Sequence, residues 1–262
     1  MFLKMFKIIS QYFELGRVIS VISPLILIVI LLIIWQTGIF LFNTPNWMLP
    51  SPLAITQEIV DSKNILFKHA LVTLNESFWG LLLAIIIGIM FGIIIFSFKT
   101  AERSVYPLII ASQTIPIIAI APLLLIWVGS GIQSKIIVVV LISFFPVVVN
   151  LIDGFKNSDS DYEKMLKTFN ASKLQILLKI HLPFALPYLL SGIKIASVSS
   201  IIGAVIGEWV GSTQGLGWLI KVSSPQFLTE RMFASIVLLS FMAIILFSIS
   251  WIIEKLLLRN YQ

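Results

Sequence analysis

Six apolar runs, separated by polar intervals, set the plan of the chain. They cover residues 18–42, 78–98, 106–127, 136–152, 187–207 and 233–253. A helix needs ~20 mostly apolar residues to cross the hydrocarbon of a bilayer, and each run is near that length. The pattern predicts an all-α polytopic membrane protein with six transmembrane helices. The first run exceeds the apolar core of a cleaved signal peptide, and no small-residue cleavage site follows it, so it reads as a helix that is kept. Residues 1–17 form a short basic segment before it, and 18–262 form the transmembrane domain.

Small residues and prolines break the monotony inside the runs. Gly80, Gly88 and Gly92 lie along the second, the last two in G-x-x-x-G spacing, which lets two helix backbones approach closely. The third contains SQTIPIIAIAP. Pro116 and Pro122 each lack an N–H, so this span must bend or unwind, and a bilayer tolerates that only where protein or a cavity satisfies the freed groups. Gln113 and Thr114 stand just before the break. The segment reads either as the wall of a pathway or as a structural kink. Pro146 interrupts the fourth run, and Asn150 near its end reads either as a path residue or as a helix–helix hydrogen bond.

The polar intervals differ in kind. Residues 43–77 open with the proline-rich NTPNWMLPSP, and a helical pattern from Leu53 to about Ser77 predicts an interfacial helix leading into the second span. KTAERS at 99–104 reads as a short charged turn. After the fifth run comes EWVGSTQGLGW, read as flexible and flanked by interface tryptophans. Glu208, at the end of the fifth span, is a candidate path or helix-partner group, or a solvated interfacial carboxylate.

The longest polar interval, Asp153–Leu190, holds five of the 18 basic residues: Lys156, Lys164, Lys167, Lys173 and Lys179. Ser160 and Glu163 fit a capping box, and Tyr162, Met165, Leu166 and Phe169 then form an apolar helical stripe. Asn170 tolerates the left-handed conformation that ends a helix. Ser172 and Gln175 fit a second box, Leu174, Leu177, Leu178 and His181 form a second stripe, and Pro183 and Pro187 close the unit. Two short amphipathic helices with a bend at Asn170-Ala171 are expected, either docking a partner or lying on the membrane surface.

Composition narrows this picture. The chain is 58% apolar and 11% charged, too few polar residues to cover a water-facing surface. The absence of cysteine excludes disulfides and thiolate sites, and two histidines far apart give no metal cluster. The net charge of +6 needs no nucleic acid. Twelve Lys and Arg residues fall on the side of the termini and the long loop and five on the other; Lys194, inside the fifth span, could snorkel. The positive-inside rule places both termini and the long loop in the cytoplasm.

The long loop resembles the EAA loop of ABC importer permeases, the membrane subunits of binding-protein-dependent uptake systems. Ile180-His181-Leu182-Pro183 matches its Ile-x-Leu-Pro ending, and Asn170 stands ten residues upstream where the family has glycine. The family's glutamate position holds Lys164, with Glu163 one place early, and Met165 and Leu166 replace two alanines. LPSP, AIAPLLLIWVG, LPFALPYLLSGIKIA and GEWVGSTQGLGWLI look like the subfamily serving nitrate, sulfonate, taurine and thiamine-pyrimidine uptake. The likeness runs from about residue 20 to the end.

What this resemblance implies is a bacterial inner-membrane permease, a homodimer of two such chains. Its coupling loop, about 153–186, would seat in a cytoplasmic ATPase through Glu163, Lys164, Met165, Leu166, Lys167, Phe169, Asn170, Ala171 and Pro183. ATP and Mg would bind that partner, and no cofactor this chain. A periplasmic or lipid-anchored binding protein would dock on the outer face, near 43–52 and the 208–218 stretch. The chain has no P-loop of its own. Path residues would be Gln113, Thr114, Pro116, Asn150 and Glu208. A thiamine-pyrimidine precursor fits the GEWVGS and GLGWL stretches best, with sulfonate, taurine or nitrate open. A secondary transporter or channel without an ATPase is the alternative; no inverted repeat favours it.

Overall fold

The computed structural model describes residues 2–259, with side chains from residue 22 onward. The side chains of Lys4, Lys7 and Arg17, counted in the charge balance, lie outside that description. Among the described residues the secondary structure is helical. α1 runs Phe2–Phe42 without a break, and α2 is Pro52–Asp61. α3 is Lys63–Ser97, α4 Lys99–Ser112, α5 Ile117–Val128 and α6 Ile132–Lys156. α7 is Ser160–Thr168, and α8, Lys173–Ile176, passes through a π-helical turn, Leu177–His181, into α9, Leu182–Gly211. α10 is Leu216–Ser223, and α11, Thr229–Leu258, ends the description. Among the described residues, five helices are long and apolar enough to cross a membrane, and α4 with α5, bent by 99°, supplies a sixth crossing if counted as one span.

The centre is a three-helix layer of α3, α6 and α9. Its geometry follows from small residues at four-residue spacing. Gly80, Ala84, Gly88 and Gly92 form one stripe of α3, buried against α6. A Cβ at Gly88 would lie 2.7 Å from Val147 Cγ1, and one at Gly92 2.7 Å from Leu151 Cδ2. The contacts advance together along both helices, so α3 and α6 are parallel. α9 packs antiparallel on α6: Gly192 lies over Pro146 and Asn150, Gly203 over Val139, and Gly207 over Lys135. With no hydrophobic drive between helices in lipid, such backbone approach supplies dispersion contacts that side chains would prevent.

α11 covers α9. Ser197 and Ser250 share a hydrogen bond of 2.7 Å, and Lys194 pairs with Glu254 at 2.6 Å. Lys194 therefore has a carboxylate partner on the next helix and does not snorkel. At the opposite end of α11, Arg231 reaches Glu58 of α2 at 2.9 Å. α1 stays at the margin, with exposed apolar residues throughout Leu25–Ile34.

Several expected boundaries move. The helix predicted over 53–77 is two helices, parted at Ser62, and the second is continuous with the span after it. KTAERS is the first turns of α4 and not a loop. Pro183 and Pro187 do not end a unit. The π turn removes the need for a bond to the missing Pro183 N–H, and Leu182 N–H donates to Leu177 O, so the helix carries through both prolines.

Candidate functional site

Two opposite ends of the α3–α6–α9 layer carry the candidate chemistry. The first is the projection made by α7 and α8. α7 buries none of its residues. Its N-cap is Asp159, whose carboxylate accepts from Asp161 N–H, so the expected Ser160 box starts one residue too late. The box at Ser172 and Gln175 is present with both hydrogen bonds. α7 ends in a Schellman motif. Asn170 takes φ +55°, its N–H donates to Lys167 O, and Ala171 N–H donates to Leu166 O. Asparagine serves where glycine would, because its short polar side chain tolerates the left-handed region.

This helix lays its apolar residues outward. Phe169 is 74% exposed and Met165 50%. Leu166 and Ala171 are half-buried, and Lys164 and Lys167 are exposed. Lys164 pairs with Asp161 at 2.9 Å, and Lys167 with Glu163 at 2.5 Å. The hydrogen bond from Lys167 holds the Glu163 carboxyl below the usual carboxylate range. Pro183 is half-buried at the start of α9. Of the second stripe, His181 is buried and Leu177 half-buried, while Leu174 and Leu178 are exposed; Ile176 and Ile180, outside the stripe, are buried. The π turn, Leu177–His181, adds a residue to the local winding between α8 and α9.

His181 fastens this projection to the bundle. Its Nδ1 lies 2.6 Å from Ser158 Oγ beyond the end of α6, its Nε2 3.7 Å from Glu163 Oε2, and its ring edge-on to Phe96 near the end of α3. His181, expected in an apolar stripe and at the variable position of the Ile-x-Leu-Pro ending, is the joint between three elements.

The broken span brings Gln113, Thr114 and Pro116 together at the bend between α4 and α5, all exposed. Thr114 Oγ1 donates to Ala111 O, a local bond at the helix end. Asn150 lies elsewhere, half-buried, and its Nδ2 donates to Pro146 O of its own helix. Glu208 is fully buried, not a solvated interfacial group.

Glu208 belongs to the second site, at the other end of the layer. After α9 the chain reverses through Ser212–Gly215 and re-enters as α10. The first N–H groups of a helix need acceptors, and here three side chains supply them. Gly215 N–H donates to His69 Nδ1 at 3.0 Å, Leu216 N–H to Thr73 Oγ1 at 2.9 Å, and Gly217 N–H to Glu208 Oε2 at 2.6 Å. Thr73 Oγ1 in turn donates to Glu208 Oε1 at 2.6 Å. Gly215 has φ +104°, and a Cβ there would collide with the Glu208 carboxylate. The EWVGSTQGLGW stretch is thus not flexible; its glycines admit a carboxylate to a helix N-terminus, where the macrodipole favours negative charge.

Lys135, buried on α6, closes the same end. Its ammonium donates to Ser130 O, Gly131 O and Gly211 O. Sequence reading named neither Thr73 nor Glu76 and placed Lys135 only in the charge count. The available signal was a lone acidic residue, Glu76, at the edge of a long apolar run.

The family described as binding-protein-dependent transport system inner membrane component matches residues 80–259. A probable ABC transporter permease protein of Haemophilus influenzae is 39% identical over 238 residues, covering 90% of this chain and 97% of that protein. The formylaminopyrimidine transport permease protein ThiX of Halalkalibacterium halodurans is 38% identical, covering 90% and 94%. An inward-facing structure of the MetNI methionine ABC transporter superposes with a TM-score of 0.64 at 20% identity, covering 74% of this chain and 97% of that one. That likeness concerns the fold alone.

Proposed function

The chain belongs to the family of binding-protein-dependent transport system inner membrane components and is a permease subunit of an ABC importer; from that premise we propose how its two ends divide the work. α7 is the element that a cytoplasmic ATPase grips. The carrying observation is that a capped, Schellman-terminated helix with no fully buried residue projects Met165 and Phe169 into solvent. An amphipathic helix of this kind seats in a groove through its apolar anchors. Leu166, Asn170, Ala171 and Pro183 shape the segment, and Glu163, Lys164 and Lys167 rim it. His181 passes its displacement to α3 and α6.

ATP and Mg then bind the partner chain, and this chain carries no cofactor. Both termini and α7 lie in the cytoplasm, which agrees with the distribution of basic residues. A second copy of the chain completes the permease. The exposed bend at Gln113, Thr114 and Pro116 forms the path wall between copies. Asn150 and Glu208 contribute internal hydrogen bonds and not path surface. A periplasmic or lipid-anchored binding protein docks at the opposite end, over Trp47 and the turn before α10.

The solute is a small pyrimidine of the formylaminopyrimidine type, by likeness to ThiX; a sulfonate, taurine or nitrate is the second reading. The deciding experiment replaces Met165 and Phe169 together by aspartate. Both side chains are exposed, so insertion and thermal stability are expected unchanged while the ATPase no longer co-purifies. Normal co-purification from that variant would sink the docking proposal. Uptake of labelled pyrimidine, taurine and nitrate by cells expressing the whole system separates the substrates.

A further inference from the structure

The hairpin end contains one group whose chemistry is not yet accounted for. Glu76 lies three residues beyond Thr73 on α3, is 3% exposed, and its carboxyl meets that of Glu208. The two carboxyls are supplied very differently. Glu208 receives the Thr73 hydroxyl on one oxygen and the Gly217 N–H on the other. Glu76 Oε2 is buried with no hydrogen-bond partner. An ionised carboxylate only accepts, so two ionised carboxylates facing each other leave an acceptor against an acceptor.

α6 contributes one cation, Lys135, which sits beside both carboxyls but gives its protons to Ser130, Gly131 and Gly211 carbonyls. His69 accepts the Gly215 N–H at Nδ1, so its ring is the neutral Nε2–H tautomer and adds no charge. Lys68, beside His69 on α3, is exposed to solvent. α9 contributes Glu208 itself, and the first turn of α10 contributes backbone N–H groups. Two buried anions against one buried cation leave an uncompensated charge in a low dielectric, which is strongly unfavourable. Among the described residues no group of three acidic, histidine or cysteine ligands could hold a metal ion.

We infer that Glu76 and Glu208 bind a single proton between them, with Glu76 the carrier. Glu208 stays ionised because the Thr73 hydroxyl and the Gly217 N–H donate to its two oxygens, and Glu76 becomes the donor between the two carboxyls. The charge of the two carboxyls is then balanced by Lys135, and the two carboxyls meet as donor and acceptor.

The test uses the full-length chain in lipid nanodiscs at mildly alkaline pH, where exposed carboxyls are ionised. Infrared spectroscopy is expected to show a carboxylic-acid C=O band in the wild type that is lost in Glu76→Gln, while Glu76→Gln keeps the wild-type melting temperature. No such band in the wild type, or a band that survives Glu76→Gln, overturns the inference. So does misfolding of Glu76→Gln, because the amide reproduces the shape and donor of the acid. Replacing sodium by choline is expected to leave the wild-type melting temperature unchanged; a marked fall overturns the shared proton in favour of a bound sodium ion.

Discussion

The two ends of α9 are built on opposite principles. At one end α7 satisfies its own backbone through caps and a Schellman turn and leaves its apolar side chains unburied. At the other, α10 takes its N-terminal acceptors from α3 and α9 and buries Leu216, Leu219 and Ile220. A helix that is locally complete and apolar outside is prepared for a partner. A helix capped by residues 143 and 146 positions away is prepared only for its own chain. The contrast assigns exchangeable contacts to the α7 end and fold stability to the hairpin end.

The sharpest way to break this contrast is at Glu208. Glu208→Ala strands the Thr73 hydroxyl and the Gly217 N–H in a buried site, and a loss of roughly 3 kcal/mol is expected. Thermal unfolding of the purified chain measures it, and an unchanged melting temperature would contradict the capping role. Next is Gly215→Ala, which combines a positive φ with a clash against the carboxylate, for a loss of about 2 kcal/mol by the same assay.

At the α7 end the corresponding substitution should be mild for the fold. Asn170→Gly relaxes a left-handed residue and is expected to gain about 0.5 kcal/mol, while Asn170→Val loses about 1 kcal/mol. Both changes should appear more clearly as hydrogen exchange of α7 amides than as global melting.

The smallest effect concerns Glu163. Its folded carboxyl is held below the usual range by Lys167. Its contribution is therefore present above the unfolded carboxyl's range and is lost as pH falls through the folded value. Glu163→Gln should remove this acid-side dependence of α7 protection and leave neutral pH nearly untouched. A wild-type acid profile in Glu163→Gln would mean that another carboxyl governs it.

What could be read along the chain followed local chemistry. The second capping box, the left-handed Asn170, the break near Pro116 and the close approach at Gly88 and Gly92 each depend on a few neighbouring residues, and each is present. What escaped depends on distant partners. Pro183 looked like a stop because its π turn is invisible in a hydropathy pattern. The glycines around Glu208 looked like flexibility because nothing local shows that His69 and Thr73 meet them. Lys194 looked like a snorkelling residue until α11 brought Glu254 beside it. Glu76 and Lys135 face each other only because α3 and α6 run parallel in one register.

The continuity of the helix from Lys173 to Gly211 has a mechanical consequence. At 1.5 Å per residue such a rod is about 58 Å long, and tilting it by about 10° about one end carries the other by about 10 Å. Pro183 and Pro187, which were expected to close the two-helix unit, do not interrupt it. A tilt imposed at its Lys173 end would therefore reach the turn before α10 through one helix, with no break at either proline.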